Sequence, residues 1–254
     1  MTAPLLEVAG ISKRFGGIRA LDDVSLTVGE GEAVGLIGPN GAGKTTLFDC
    51  VSGVTQPERG SVRFRGRRID RLPVHERARL GIGRTFQRLE LFTGMTVRDH
   101  FAVAERQRRG DGRLWKDLLW RGGLAADEAE RVDRMLKELR LGAVAYAPIE
   151  SLSLGQGRLV ELGRALIQEP ALLLLDEPSS GLDSRESAEL ATVLNQVRAT
   201  REKALLLVEH DIALVQAVVE RAVVLDFGRV IAAGPLDKVL ADEAVRTAYL
   251  GQSM

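Results

Sequence analysis

Apolar positions along the chain follow two rhythms. The run Glu32-Ala33-Val34-Gly35-Leu36-Ile37 reads as a buried strand, followed by a glycine-rich turn and the apolar beginning of a helix ending near Gly53. Leu5 to Val8 and Ser61 to Phe64 read as shorter strands, the latter alternating Val62 and Phe64 against Arg63 and Arg65, which predicts an antiparallel β portion near the N-terminus. From about Thr96 to Arg140 strand patterning disappears, and Val132, Met135, Leu136 and Leu139 fall at helical spacing, which predicts a helical lobe. Strands return at Ala171 to Leu175, Ala204 to Val208 and Ala222 to Leu225. Between the first two, Leu190, Val193, Leu194 and Val197 form the apolar stripe of a helix packed on a sheet. Buried strands alternating with helices predict an α/β fold with a mostly parallel sheet covered on both faces. No internal repeat or low-complexity tract interrupts the pattern.

A chain of 254 residues suits a single α/β domain, or one core with a smaller appended lobe. Lys+Arg and Asp+Glu both total 35, so no global charge draws the chain toward nucleic acid or anionic lipid. Cys50 is the single cysteine, which excludes an internal disulfide framework and suits a reducing compartment. The opening residues carry neither a basic leader nor a long apolar stretch, so no secretory signal is expected. The strongest apolar runs fall far short of the roughly 18 residues needed to cross a bilayer, so a membrane role requires a separate partner.

The first strand–helix junction carries chemistry. Gly38-Pro39-Asn40-Gly41-Ala42-Gly43-Lys44-Thr45 fits G-x-x-x-x-G-K-[ST] and sits where that pattern works, between a strand and a helix. Glycines let the backbone wrap phosphate oxygens, and the helix start presents free N–H groups to the anion. Lys44 would then neutralise β- and γ-phosphates, and Thr45 would hold Mg²⁺. A glycine turn with a chance lysine is the bland alternative, but such a match arises in a chain this long with a probability on the order of one per cent.

Leu172-Leu173-Leu174-Leu175-Asp176-Glu177 places two carboxylates at the C-terminal end of a buried strand, where open α/β sheets bind ligands. Asp176 can orient Mg²⁺, and Glu177 can polarise an attacking water. A solvated acidic turn would be the better reading if the segment stood alone. His210 follows Ala204 to Val208 and falls on the same edge; by itself it reads as structural, and its neighbours raise its standing. Phe15 reads as a core aromatic or as a stacking surface for adenine, with the core reading favoured by the residues alone.

One further segment, Leu152-Ser153-Leu154-Gly155-Gln156, precedes a helix shortly before the acidic strand and resembles the signature sequence of the ABC (ATP-binding cassette) ATPases. From Leu5 to about Leu240 the order of segments is similar to that family. The resemblance implies a P-loop NTPase core of RecA-like type, an N-terminal antiparallel β portion and an inserted helical subdomain. As a single domain over 1–254, it would comprise a nucleotide-binding core of 1–88 and 165–254 and a helical subdomain of 89–164. It makes Phe15 the adenine-stacking aromatic, Gly38 to Thr46 the Walker A loop, and Gln87 a glutamine serving both catalysis and metal. Asp176 becomes the Walker B aspartate, Glu177 the catalytic glutamate, Ser180-Gly181-Leu182-Asp183 the D-loop and His210 the switch histidine. Ser153, Gly155, Gln156 and Asp183 join the nucleotide contacts, with Ser153 and Gly155 facing the γ-phosphate. Leu154 departs from the family's commonest signature, which has glycine there.

The resemblance implies ATP and Mg²⁺ as ligands and head-to-tail pairing of two cassettes, identical or homologous, around shared ATP. It also implies a transmembrane permease, an extracytoplasmic solute-binding protein reached indirectly, a place on the inner face of the membrane, and no nucleic acid partner. Gly83-Arg84-Thr85-Phe86-Gln87, Leu91-Phe92, Met95-Thr96-Val97, Val208-Glu209-His210-Asp211-Ile212 and Tyr249-Leu250-Gly251 resemble the ATP-binding subunits of branched-chain amino acid importers. Two other classes stay open: a soluble ABC ATPase acting on ribosomes, DNA or cofactor assembly, and another P-loop enzyme such as a kinase or GTPase. Of the weaker signals, Arg106 to Trp120 reads as a solvated loop leading into a helix rather than a membrane-facing patch, Arg59 to Arg71 as solvent-facing strand residues, and Cys50 as buried and inert.

Overall fold

In the computed structural model, which describes residues 3–85, 91–109, 124–199 and 202–250, three five-residue strands are buried along their whole length: β3 (Ala33–Ile37), β7 (Leu172–Asp176) and β8 (Ala204–Val208). Such runs require cover on both faces, and the chain supplies it. With β6 (Ile82–Arg84), β9 (Arg221–Asp226) and β10 (Arg229–Pro235) they form a six-stranded sheet of order β10-β9-β3-β8-β7-β6. Every pairing from β9 to β6 is parallel, and β10 alone pairs antiparallel.

Successive side chains of these strands enter different cores, as a two-residue period demands. Leu173, Leu175, Leu205 and Leu207 face a core shared with the helical residues Phe101, Val132 and Leu136. Leu172, Leu174, Leu206 and Val208 face a second core, shared with Leu47 and Phe48 and with the antiparallel strands. Each fully buried leucine contributes roughly 1.5–3 kcal/mol, so exchanging the faces of a single strand would forfeit most of its stabilisation.

The second core is closed by a four-stranded sheet of order β2-β1-β4-β5, in which β1 (Leu6–Phe15) pairs antiparallel with both β2 (Ile18–Val28) and β4 (Arg59–Phe64), and β5 is Arg67–Arg68. This is the antiparallel portion expected near the N-terminus, although β1 continues well beyond Val8 through register shifts after Val8, Ile11 and Lys13. Arg63, Arg65, Arg67 and Arg68 are exposed there, as expected.

Helix α1 (Lys44–Ser52) ends at Gly53, as predicted, and α2 spans Val74–Arg79. In the middle part α3 (Val97–Arg109) packs on α4 (Ala126–Glu138) and on α5 (Leu154–Leu166). Gly163 of α5 permits that crossing, since a Cβ there would lie 2.4 Å from Leu139 Cδ1 and 2.5 Å from Phe101 Cζ. The remaining helices are α6 (Ser184–Ala199), α7 (Ile212–Val218), α8 (Leu236–Ala241) and α9 (Glu243–Leu250). Leu190, Val193 and Leu194 form the buried stripe of α6. Among the described residues, no helix is long and apolar enough to cross a membrane.

Candidate active site

The ends of β3, β7 and β8 lie side by side, so the segments leaving them meet at one edge of the sheet. The loop after β3 depends on glycine. Gly38 has φ 149 and a Cβ there would stand 2.1 Å from the Leu225 carbonyl oxygen; Gly43 has φ 102 and a Cβ 2.5 Å from that of Ala20. Helix α1 begins with no side-chain cap and no acidic residue in its first turn, so its leading N–H groups and positive dipole end are available to an anion. Lys44 is buried, and its Nζ donates to the carbonyls of Gly38 at 2.6 Å and Pro39 at 2.9 Å. Burial lowers the pKa of its ammonium, while Glu177 and then Asp176 oppose that shift. The cradle therefore has the donor set and the cation that a triphosphate needs.

Asp176 closes β7 and is 3 % exposed. Burial raises its pKa, and the nearby Arg84 guanidinium works against that. Arg84 was not singled out by sequence, yet it bridges three groups: Nη1 donates to Asp49 Oδ1 and Ser52 Oγ, each at 2.8 Å, and Nη2 lies 3.4 Å from Asp176 Oδ2. It also stacks over Phe48, 5.0 Å from the ring centroid. Thr45 is exposed on the first turn of α1. One hydroxyl and one carboxylate beside a phosphate cradle fit Mg²⁺, which takes few protein ligands and completes its shell with phosphate oxygens and water.

Glu177 adopts a left-handed backbone with φ 45, uncommon for a residue with a side chain. Its N–H donates to the Val208 carbonyl at 2.9 Å, and its own carbonyl accepts from Ser180 N at 3.0 Å. His210 follows β8 with its side chain 59 % exposed. Between the two segments stands Glu209, fully buried, part of the importer-like segment Val208 to Ile212 but given no role by the sequence. Its carboxylate accepts from Ser179 N at 2.8 Å, Ser179 Oγ at 2.6 Å, His210 N at 2.9 Å and Asp211 N at 3.1 Å. Asp211 in turn caps α7 through Ala213 N and Leu214 N.

Ser153 caps α5, accepting from Gln156 N while Gln156 Oε1 accepts from Ser153 N, a reciprocal capping box. Leu154, the departure from the usual signature, is 39 % exposed and packs toward Gly181, where a Cβ would come within 2.9 Å of Leu154 Cδ2. A bulky residue is thus accommodated by the glycine facing it. Phe15 is 52 % exposed, so the core reading of this aromatic is wrong; Lys13 Nζ lies over its ring, 5.3 Å from the centroid. It lies at the β1–β2 hairpin, whose β2 strand meets Gly43 through Ala20. Asp183 is exposed at the start of α6. Gln87 lies outside the described residues, as does most of Arg106 to Trp120; within that stretch Arg108 donates through Nε and Nη2 to the buried Glu105, each at 2.9 Å.

The chain matches the ABC transporter family over residues 21–180. It is 38% identical to the high-affinity branched-chain amino acid transport ATP-binding protein LivG of Salmonella typhimurium, with 100% of both chains covered, and 36% identical to BraF of Pseudomonas aeruginosa over the same full span. Among solved structures it resembles the ADP conformation of MJ1267, an ATP-binding cassette of an ABC transporter, with TM-score 0.87 and 30% identity over 99% of this chain and 100% of that one. It also resembles a dimeric post-hydrolysis state of the cassette MJ0796 bound to ADP and phosphate, with TM-score 0.75 and 26% identity over 91% and 98%. The chain therefore belongs to the ABC transporter family as an ATP-hydrolysing subunit.

Proposed function

We propose that this chain powers import of branched-chain or related amino acids through a separate permease, binding MgATP with Lys44, Thr45 and Asp176 and cleaving it with Glu177 and His210. The observation that carries the site assignment is geometric: the glycine loop after β3 holds the buried Lys44 through the Gly38 and Pro39 carbonyls, at the same sheet edge where β7 ends in the buried Asp176 and leads into Glu177. Full-length similarity to LivG and BraF supports the cargo class and favours transport over a soluble ATPase.

In this reading Phe15 stacks on adenine, Gly38 to Thr46 enclose the phosphates, and the Lys44 ammonium exchanges its carbonyl partners for β- and γ-phosphate oxygens. Mg²⁺, when bound, supplies charge neutralisation across those phosphates. Glu177 accepts a hydrogen bond from the attacking water with His210 beside it, and Gln87 takes the catalytic and metal role that the family resemblance implies. A second cassette, identical or homologous, contributes Ser153, Gly155, Gln156 and Asp183 from the opposite side, an arrangement supported by likeness to the dimeric MJ0796 cassette. The helical subdomain, 89–164, would transmit pairing to the permease at the inner membrane face, with a solute-binding protein acting from the far side.

Reconstitution with the membrane protein that co-purifies with this chain tests the proposal. ATP-dependent uptake of leucine, isoleucine or valine into proteoliposomes, with turnover stimulated by permease and not by RNA or DNA, is the expected result. Stimulation by nucleic acid with no uptake of any amino acid would overturn it.

A further inference from the structure

Ser153 and Gly155 are the groups proposed to grip the γ-phosphate held by a partner cassette, and their donors are already engaged within the chain. Ser153 Oγ donates to Glu186 Oε1 at 2.9 Å, and Gly155 N donates to the same oxygen at 3.1 Å. A carboxylate oxygen therefore sits at the start of α5 in the manner of a bound anion. The fit is close: a Cβ on Gly155 would come within 2.8 Å of Glu186 Oε1.

Glu186 has an ordinary structural duty as well, and it uses the other oxygen. Asp183 Oδ1 accepts from Glu186 N at 2.8 Å and Glu186 Oε2 accepts from Asp183 N at 3.4 Å, the reciprocal pair of a capping box at the start of α6. The box needs only Oε2. Oε1 reaches across to another helix, thirty-one residues away along the chain at Gly155, and makes the shorter contacts there.

We propose that Glu186 is a positioning residue for the signature half-site, an internal anion that occupies the Ser153 hydroxyl and the Gly155 N–H and sets how readily they accept a partner's triphosphate. The proposal rests on the reading of two cassettes sharing ATP. Each donor has one hydrogen to give, so carboxylate and γ-phosphate cannot both hold the pair, and their like charges repel at this separation. Closure therefore requires Oε1 to withdraw, which raises the ATP concentration needed for pairing. In the open state the same contact keeps the α5 start compensated and Ser153 in its capping rotamer.

Glutamine serves the third position of a capping box as well as glutamate, so Glu186→Gln removes the charge while keeping the α6 cap. ATP-driven association is followed by light scattering over an ATP titration in a Glu177→Gln background, which holds ATP uncleaved on the reading above. Adding Glu186→Gln is expected to lower the half-saturating ATP concentration for association about tenfold, as suits loss of a charged acceptor. ATP binding to the unpaired chain and the nucleotide-free melting temperature should stay unchanged. Glu186→Ala, which removes the acceptor altogether, should shift association in the same direction. If the background protein pairs and neither variant lowers the ATP requirement, the assignment of Glu186 is overturned and the two-cassette reading stands. If the background protein fails to pair at any ATP concentration, that reading falls and the role of Glu186 falls with it.

Discussion

Glu177 is pinned to Val208: its N–H donates to the Val208 carbonyl at 2.9 Å, fixing the acidic residue that leaves β7 against the end of β8, one residue before Glu209 and two before His210. The left-handed backbone at Glu177, φ 45, is held by this bond and by the Ser180 N–H that its own carbonyl accepts. Glu177→Gln changes one atom of the side chain and none of the backbone. It should retain MgATP binding and lower turnover by roughly 10²-fold or more, as expected for a lost general base. Single-turnover hydrolysis at saturating MgATP measures this, and near-normal turnover would remove Glu177 from the role.

Lys44 donates to two loop carbonyls from a buried position, and on the proposed reading it exchanges them for phosphate oxygens. MgATP at about 100 times its dissociation constant should stabilise the wild-type protein by roughly 2.7 kcal/mol. Lys44→Ala should lose most of that shift. Chemical denaturation with and without MgATP reads both effects, and a wild type that gains nothing would count against the whole nucleotide assignment.

Glu209 joins the segment after β7 to the segment after β8 through four donors. In Glu209→Gln the new amide NH₂ faces N–H groups that have lost their acceptor, a cost of about 1–3 kcal/mol. Misplacing Glu177 relative to His210 should then reduce kcat by roughly 10- to 100-fold, while the MgATP dissociation constant holds. Steady-state kinetics alongside nucleotide titration separates the two, and equal losses in both would make Glu209 merely structural.

Burial raises the Cys50 thiol to about 11 from an ordinary value of 9.0. The folded state thus binds the thiol proton more tightly than the unfolded state. The stabilisation this gives is complete below about pH 9 and is lost as pH rises through about 11. Iodoacetamide at pH 8 should label Cys50 in urea and hardly at all in the native protein, as mass spectrometry would show; rapid native labelling would refute its enclosure.

Gly163 sits where α5 crosses α3, with no room for a methyl group beside Leu139 and Phe101. Gly163→Ala should destabilise the fold by roughly 1–3 kcal/mol through overpacking. Gly142→Ala, at a site with nothing within 4 Å of a Cβ, is the matched control and should be near neutral. Urea denaturation of both variants decides whether the crossing is as close as it stands.

What could be read from sequence was whatever is written locally. The phosphate loop, the strand ending in Asp176 and Glu177, and the stripe of α6 each announce themselves within a dozen residues. Strand β2 was missed although it is eleven residues long, because Arg19, Asp22 and Asp23 interrupt its alternation and the register shifts against β1 displace its apolar positions. Phe15 misled for a related reason, since an aromatic beside a turn has the same letters whether it faces in or out. Arg84 and Glu209 stand in segments that resemble the importer subunits and Glu186 in none, but the sequence assigns no role to any of the three because their partners lie far along the chain: 92 residues to Asp176, 33 to Ser153 and 30 to Ser179. No spacing rule connects such groups, and only the folded sheet edge brings them together.

The interleaving of leucines along β7 has a mechanical corollary. Leu172 and Leu174 belong to one core and Leu173 and Leu175 to the other, so sliding this strand by a single residue would put every side chain on the wrong side. The strand is a fixed axle, and any stroke that carries force toward a neighbouring protein must articulate in the joints at its ends, where Asp176 and Glu177 stand.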